Sequence, residues 1–397
     1  MNKIDSMLLG DLIEFQRGYD LSKAEMIKGP YPVRSSNGLL GYHNEFKVNG
    51  PGITIGRSGT VGIPHLIKEN FYAHNTTLFV KDFKGNNVEY IFYLLKNLNL
   101  GDRKSGTGVP TMNRNHLHPL SILAFKDTAN QKMIAKVLSD LDAKIEVNNK
   151  INAELESIAK LIYDYWFVQF DFPDENGKPY KSSGGKMVYS EELKREIPIG
   201  WEVELISDCC SIVDCLHSKK PDYNLDFEKK FLLQLNNILE NGLIDLSKKY
   251  YVKSSDYDNW TKRIEVKDGD IVITNAGRVA STAQIPSDLT TGIGRNITAI
   301  RPKTISETYL YLAFKGEDMR RQILWNTDVG SFFKSLNVKG IKLLYILRPS
   351  INIEVKFEQK VLPIRRKREK NQIENEKLIK FRDWLLPMLM NGQVTVN

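Results

Sequence analysis

The chain has three cysteines in 397 residues, too few for a disulfide framework. They point instead to a reducing compartment. The opening run MNKIDSMLLGDLIEF carries Asp and Glu and lacks a sustained apolar core, so it does not read as a secretion signal. No stretch reaches the ~18 apolar residues of a membrane span. A cytoplasmic protein with no membrane partner is expected. Catalytic motifs are missing as well. GxxxxGK[ST] does not occur, and GITIGRSGT (52–60) has glycines but no Lys to reach a phosphate. HExxH, the GxSxG nucleophile elbow, a dinucleotide fingerprint with its acidic residue, and an Asn-Pro-Pro-aromatic run are all absent. The six histidines show no catalytic spacing. A catalyst within this chain is not expected, and neither is a bound cofactor or metal.

What is present is a pattern written twice. GITIGRSGTVGIP (52–64) reads as strand, Gly-rich turn and extended continuation, and IVITNAGRVASTAQIP (271–286) repeats it. HNTTLFV (74–80) is echoed by RNITAIRP (295–302), and the helical VEYIFYLL (88–95) by ETYLYLAF (307–314). A polar loop leading into a strand occurs at 105–125 and again at 328–349. YPVRSSNGLLGYH (31–43) has its counterpart near FLLQLNNILENGLI (231–244), inside a longer insertion. Between the halves, residues 170–203 are dense in Pro, Gly, Ser and charge and read as a linker.

Each half ends in a long helical segment. Thr128–Phe170 holds no Gly and no Pro. Ile134, Val137, Leu141, Ile151, Leu155, Ile158, Ile162 and Tyr165 alternate in steps of three and four, with Lys144 and Asn148 as polar breaks. That is a heptad seam requiring a partner helix. Asn148 is either a local defect or a register device. Leu378, Phe381, Leu385 and Met388 stand in step with Leu155, Ile158, Ile162 and Tyr165, and Asn371 with Asn148, at one common offset. Gln359-Lys360 matches Gln131-Lys132 only at a longer offset, which predicts a second helix that is shorter or rebuilt at its start. Pro363 predicts a helix start or a kink. The run Arg365–Lys370 reads as a solvated face. Tyr163, Trp166, Phe167, Trp384 and Met390 lie beside the seam, either packing onto the globular parts or docking a partner.

The net charge of +8 allows a polyanionic partner. Candidate reading loops combine Arg or Lys with small hydroxyls and glycine. They are Arg34-Ser35-Ser36-Asn37, Gly56-Arg57-Ser58-Gly59-Thr60, and Lys104-Ser105-Gly106-Thr107-Gly108 with Arg114. In the second half they are Gln234 and Asn236, Asn275-Ala276-Gly277-Arg278, Gly294-Arg295-Asn296, and Ser331-Phe332-Phe333-Lys334-Ser335. Arg can grip guanine, Asn adenine, and Ser or Thr a phosphate. The same residue types also build plain turns. Pro221-Asp222 with Glu228-Lys229-Lys230 superficially resembles a nuclease array, but the spacing is too short to put the acids on neighbouring strands. Cys209, Cys210, Cys215 and His217 carry zinc-type ligand atoms without paired-knuckle spacing, and ordinary thiols are expected.

LLGDLIEFQRG, ITIGRSGTVG, SDLDAKIEVNNKINAELESIAKLIYDYWFVQFDFP, NGKPYKSSGGKMVYSEELKREIPIGWEV and LIKFRDWLLPMLMNGQV together resemble the specificity subunits of type I restriction–modification systems. The resemblance implies an α+β fold with a pseudo-two-fold internal repeat: two β-rich globular target-recognition domains separated by two long antiparallel coiled-coil helices. It divides the chain into recognition domain 1–127, helical spacer 128–170, connector 171–200, recognition domain 201–350 and helical spacer 351–397. It implies a non-catalytic subunit that reads an asymmetric, bipartite double-stranded DNA target, with the helices as a ruler; about 35 helical residues span roughly 50 Å. It implies two modification subunits as partners, binding S-adenosylmethionine and methylating adenine, and a restriction subunit using ATP and Mg where one is present. A stand-alone metal-dependent nuclease and a coiled-coil assembly protein without a DNA role are the rival readings.

Overall fold

A computed structural model describes residues 4–103, 111–216, 218–225, 229–329 and 334–396. The chain divides into two compact units, Met1–Glu146 with Lys377–Asn397, and Val147–Glu376.

The first unit is built on a four-stranded antiparallel sheet in the order Glu14–Arg17, Thr77–Asp82, Gly52–Gly56, Pro64–Ile67. A three-stranded sheet joins Gly38–His43, Tyr31–Ser35 and Tyr72–Ala73, the last pair parallel. Ile4–Leu8 pairs with Ser121–Phe125. GITIG is buried at every position, which explains why it reads as a continuous short run rather than an alternating strand. The tight turn after it requires glycine: Gly62 sits at φ +81°, and a Cβ there would lie 2.2 Å from the Gly101 nitrogen. The helix Val88–Asn97 is capped by the Asn87 carboxamide, which accepts the Tyr90 N–H at 2.8 Å. Its Tyr90 hydroxyl is buried and accepts the Phe125 N–H, and burial pushes its pKa up to about 12. Phe15, Ile53, Ile55 and Leu94 close over Ile134 and Leu138 and over Leu386 and Leu389 from the two long helices.

The second unit repeats the plan. Its four-stranded sheet runs Cys210–Asp214, Ile297–Pro302, Ile271–Thr274, Thr282–Gln284. Its three-stranded sheet holds Tyr250–Tyr251, Phe231–Leu233 and Gly292–Ile293, and again the last pair is parallel. Glu202–Leu205 pairs with Tyr345–Arg348. The helix Glu307–Lys315 is capped by the Ser306 hydroxyl. Strand order coincides in the two units, as does the parallel pair of each three-stranded sheet, so the sequence echo is a true structural repeat. The fold is α+β. The connector is folded rather than loose: Met187–Ser190 and Arg195–Pro198 form a hairpin, and Phe172 stacks on both Tyr180 and Trp201.

The long helices are Thr128–Tyr163, extended by a π-helical turn Asp164–Val168, and Ile351–Met390. Within the second unit they run antiparallel. Asn148 donates to Asn375 Oδ1 and Glu374 Oε2, both at 2.9 Å. Asn371 donates to Asn152 Oδ1 at 2.9 Å, and Asn152 to the Arg368 carbonyl at 3.2 Å. Asn148 stands in step with Asn371, and Asn152 with Asn375. The pairs 148–375 and 152–371 are therefore images of one another, the signature of a dyad between like surfaces. All four asparagines are buried. Asn148 is a register device.

The long helices depart from the sequence pattern at several points. The buried face of the first helix carries Asn148, Asn152, Leu155 and Ala159, while Ile151, Ile158 and Tyr165 are 37%, 45% and 38% exposed. Two three-four stripes exist on this helix, and the polar one is inside because its amides bond across. The longer offset for Gln359 is a coincidence. Gln131 is matched by Glu354 at the common offset: Gln131 Oε1 accepts the Asn87 N–H at 2.9 Å, and Glu354 Oε2 accepts the Ser306 N–H at 3.0 Å. Each holds the start of the capped helix of its own unit. The second helix has 40 residues, against 36 in the first plus the 5 of its π-helical turn, so the two are of like length, and it runs unbroken through Pro363.

The run Arg365–Lys370 is not a solvated face. Arg365 and Arg368 are buried. Arg365 donates to Glu369 (2.8 Å), Glu307 (2.5 Å), Asp268 (2.7 Å) and the Ile285 carbonyl (2.7 Å), and Arg366 reaches the other Asp268 oxygen at 2.7 Å. Arg368 bonds Glu156 and the Asn241 carbonyl. Folding brings Asp268, Glu307 and Glu156 to this run from positions far away in sequence. In the first unit Asp142 similarly receives Arg382 and the Tyr93 hydroxyl. Of the aromatic and Met residues beside the seam, Trp166, Phe167 and Met390 are core, and Tyr163 packs against that core; Trp384 remains 55% exposed, stacked on Phe381.

Substituting Asn371→Ala leaves the buried Asn152 Oδ1 without its donor and is expected to cost about 1–3 kcal/mol of stability by urea denaturation. The double variant Asn152→Leu/Asn371→Leu removes both partners and should recover much of that loss. A loss no larger than that of a surface substitution for Asn371→Ala would contradict the buried layer.

Candidate nucleic-acid interface

In the first unit the loops gather at one edge of the four-stranded sheet. The Arg57 and Ser58 amides donate to the Thr76 carbonyl, and the Ser36 amide donates to Thr76 Oγ1. Thr60 donates to Asn37 Oδ1 at 2.6 Å, and the Met112 N–H donates to the Arg57 carbonyl at 2.9 Å. Three loops far apart in sequence are thus pinned side by side. Ser58 also bridges to Thr111. Lys104, Ser105 and Thr107 lie outside the described residues.

The side chains divide into scaffold and surface. Ser35 and Ser36 are buried, and Ser35 Oγ donates to the Gly38 carbonyl. Arg34 is half-buried and faces Glu69 at 3.7 Å. These three hold the turn. Asn37, Thr60 and Arg114 are exposed, and Arg57 is half-buried. Arg114 opens a short helix whose preceding Asn113 accepts the Asn115 N–H. Arg57 and Arg114 line a cleft with Gln16, Arg17, Tyr19, Asp20, Asn113 and Asn115. Sequence reasoning missed Arg17, Asp20 and the Asn113–Asn115 pair. Arg17 ends the strand Glu14–Arg17 and donates to Asp20 Oδ1 at 2.9 Å. Asp20 also accepts from Asn75, and that bond, followed by Arg17's charge, outweighs desolvation and holds the Asp20 carboxyl below its ordinary range. The spacing Arg17-x-x-Asp20 was the only signal, and it is a common one.

The second unit gathers its loops in the same way. The Leu336 N–H donates to the Asn275 carbonyl at 2.9 Å, as Met112 does to Arg57, and the Asn275 N–H donates to the Asn296 carbonyl. Here more of the candidates are spent on the scaffold. Arg278 donates to the Leu235 and Ile238 carbonyls at 3.0 and 2.7 Å. Gln234 accepts Lys220 Nζ at 2.7 Å and donates to the Leu232 and Leu233 carbonyls. Asn275 is tied to Thr298 through both side-chain ends. Asn236, Arg295, Asn296 and Lys334 are exposed, with Asn296 in the left-handed region at φ 62°. Arg295 donates to the Ser218 carbonyl. Lys220 lies 3.6 Å from the Tyr250 ring centroid; burial, then the Arg295 charge, pulls its pKa down. This edge is therefore crowded with positive charge.

The rival chemistries find little geometry. Asp222 is almost fully exposed beside Lys219, Lys230 lies over the Tyr257 ring, and Glu228 is outside the described residues. Cys209 and Cys210 belong to one core cluster and Cys215 to another, so the thiols do not converge; His217 is outside the described residues. Among the described residues, no group of three His, Cys, Asp or Glu is placed to hold a metal ion. Among the described residues no helix is long and apolar enough to cross a membrane.

A family model described as the type I restriction modification DNA specificity domain matches residues 1–157. The MjaIX type I restriction enzyme specificity subunit of Methanocaldococcus jannaschii is 25% identical over 320 residues, 78% of this chain and 69% of that protein. The HindI specificity subunit of Haemophilus influenzae is 26% identical over 359 residues, 74% of this chain and 73% of that protein. The crystal structure of a type I S subunit from M. genitalium shares the fold, with a TM-score of 0.56 at 16% identity, covering 98% of this chain and 96% of that one.

Arg278→Ala should loosen the 235–238 loop. The expected result is faster amide exchange at Asp245, whose N–H bonds Asn237, and a stability loss of about 1–2 kcal/mol. Unchanged exchange would mean that the guanidinium does not hold the loop.

Proposed function

We propose, for a chain that belongs to the specificity subunits of type I restriction–modification systems, that its two units read the two unequal halves of an interrupted double-stranded DNA target. The observation that carries this reading is the doubled fold with unlike reading edges. The same strands and the same pinned loops recur, but the side chains they present differ. Where the first unit has Arg17, paired with Leu78 on the neighbouring strand, the second has Asp214, paired with Thr298 at the corresponding place. Like scaffolds with unlike edges suit a target whose halves differ in sequence.

The recognition units correspond to residues 1–127 and 201–350, the helices to 128–170 and 351–397, and the connector to 171–200. Exposed Arg, Lys and Asn at the edges supply phosphate attraction and base-edge contacts. The chain contributes no catalytic group. Two modification subunits supply S-adenosylmethionine and adenine methylation, and a restriction subunit, where present, supplies ATP- and Mg-dependent chemistry. The modification subunit has a surface to dock on. Val147, Ile151, Ile158, Leu161, Tyr165 and Val168 form an exposed apolar stripe along the first long helix, at heptad spacing. The complex works in the cytoplasm, where its DNA is.

The test is genome-wide mapping of methylated adenine in cells with and without this chain, its modification subunit being present in both. One interrupted, asymmetric motif should be methylated with the chain and lost without it. Methylation independent of the chain, or of a continuous palindrome, would refute the reading.

A further inference from the structure

The cleft of the first unit has a volume of about 680 Å³ and is bordered by Gln16, Arg17, Asp20, Arg57, Asn113 and Arg114. We propose that it reads a guanine in one half of the DNA target, with Arg17 as the reading side chain and Asp20 as the residue that positions it. The inference rests on the DNA-reading function above and names the base class that this site takes.

The backbone under Arg17 is fixed. Arg17 pairs with Leu78 in the four-stranded sheet, and the next residue, Gly18, donates to the Thr77 carbonyl. A Cβ on Gly18 would lie 2.2 Å from the His74 carbonyl oxygen, so the chain leaves the strand in close contact with its neighbour. The side chain is aimed as well. One guanidinium nitrogen is engaged by Asp20, and Asp20 is in turn engaged by Asn75, whose carbonyl accepts Arg57 Nη1. A guanidinium has five N–H donors, so holding one leaves a planar fork for a ligand. A reader held by supporting bonds gives sharper selection than a free one.

The carboxylate decides between phosphate and base. Asp20 beside Arg17 repels the full charge of a phosphate far more strongly than the neutral edge of a base. Arg57 and Arg114, which face no carboxylate at hydrogen-bond distance among the described residues, are the phosphate-attracting members of the cleft. Arginine has donors only. Guanine presents two acceptors, O6 and N7, on its major-groove edge, whereas adenine presents a donor beside its acceptor. The fork therefore fits guanine. Asp214 stands at the corresponding place in the second unit, so this guanine belongs to one half of the target only.

The experiment is adenine-methylation mapping of the complex formed by the full chain and its modification subunit, in wild-type form and as Arg17→Ala, Arg17→Lys and Asp20→Asn. Thermal melting of each complex confirms folding. In Arg17→Ala, one position in one half-site that is guanine in the wild-type motif should become degenerate, with preference falling roughly 5- to 150-fold. Arg17→Lys keeps the charge but lacks the planar fork, and should weaken the same preference. Asp20→Asn should relax that position in part. An unchanged motif in both Arg17 variants overturns the proposal. So does a uniform fall in methylation with the motif intact, which would make Arg17 a phosphate contact. A wild-type complex that methylates no defined motif overturns the DNA-reading function itself, a result distinct from either.

Discussion

The buried amide layer on the long helices is the constraint on which the rest depends. A purely apolar seam allows two helices to slide by a heptad at modest cost. Asn148, Asn152, Asn371 and Asn375 allow one register, because each buried amide finds its partner only when 148 meets 375 and 152 meets 371. The layer also lies on the local dyad of the helix pair, which it marks with four side chains. It gives up apolar burial for uniqueness, a trade best known from polar positions in coiled coils.

Within each unit the long helices are held to the globular part by polar anchors as well as by apolar contact. In the second unit Glu354 holds the Ser306 cap, Arg365 and Arg366 gather Asp268, Glu307 and Glu369, and Arg368 holds Glu156. In the first, Gln131 takes the Asn87 amide and the Phe125 carbonyl, and Asp142 takes Arg382 and Tyr93. The globular part of each unit is thus tied by directional bonds to the long-helix segments of its own unit. Directional bonds fix orientation in a way that hydrophobic packing does not, and orientation is what a reader of base edges requires.

Much of this was legible in the sequence. The repeat was visible because each strand–turn–strand phrase recurs in order, and the common offset found Asn148 and Asn371 without a structure. The inner face of the helix was misjudged because two three-four stripes coexist, and hydrophobicity favours the wrong one: Ile151 and Ile158 outrank Asn152 and Ala159 on any apolar scale. The roles of Arg365 and Arg368 were hidden because their acids come from distant segments, Asp268 and Glu307 for the first and Glu156 for the second. Pro363 misled because the bonds that hold this helix from outside offset the loss of its N–H. At the reading edges, residue type could not separate scaffold from reader. Arg278 and Gln234 are consumed by backbone carbonyls, Ser35 and Ser36 are buried, and Arg17 gave no sign until Asp20 and Asn75 were folded against it.

Two like scaffolds, an antiparallel helix pair and unlike candidate edges support the proposal that the chain holds two different half-sites at once. Hydroxyl-radical footprinting of the complex with its modification subunit, on a duplex carrying the methylated motif, tests this most directly. The account predicts two protected segments of different sequence flanking an interior whose base sequence can be changed without loss of protection. One continuous protected segment whose interior sequence matters, or protection of a single half, would contradict it.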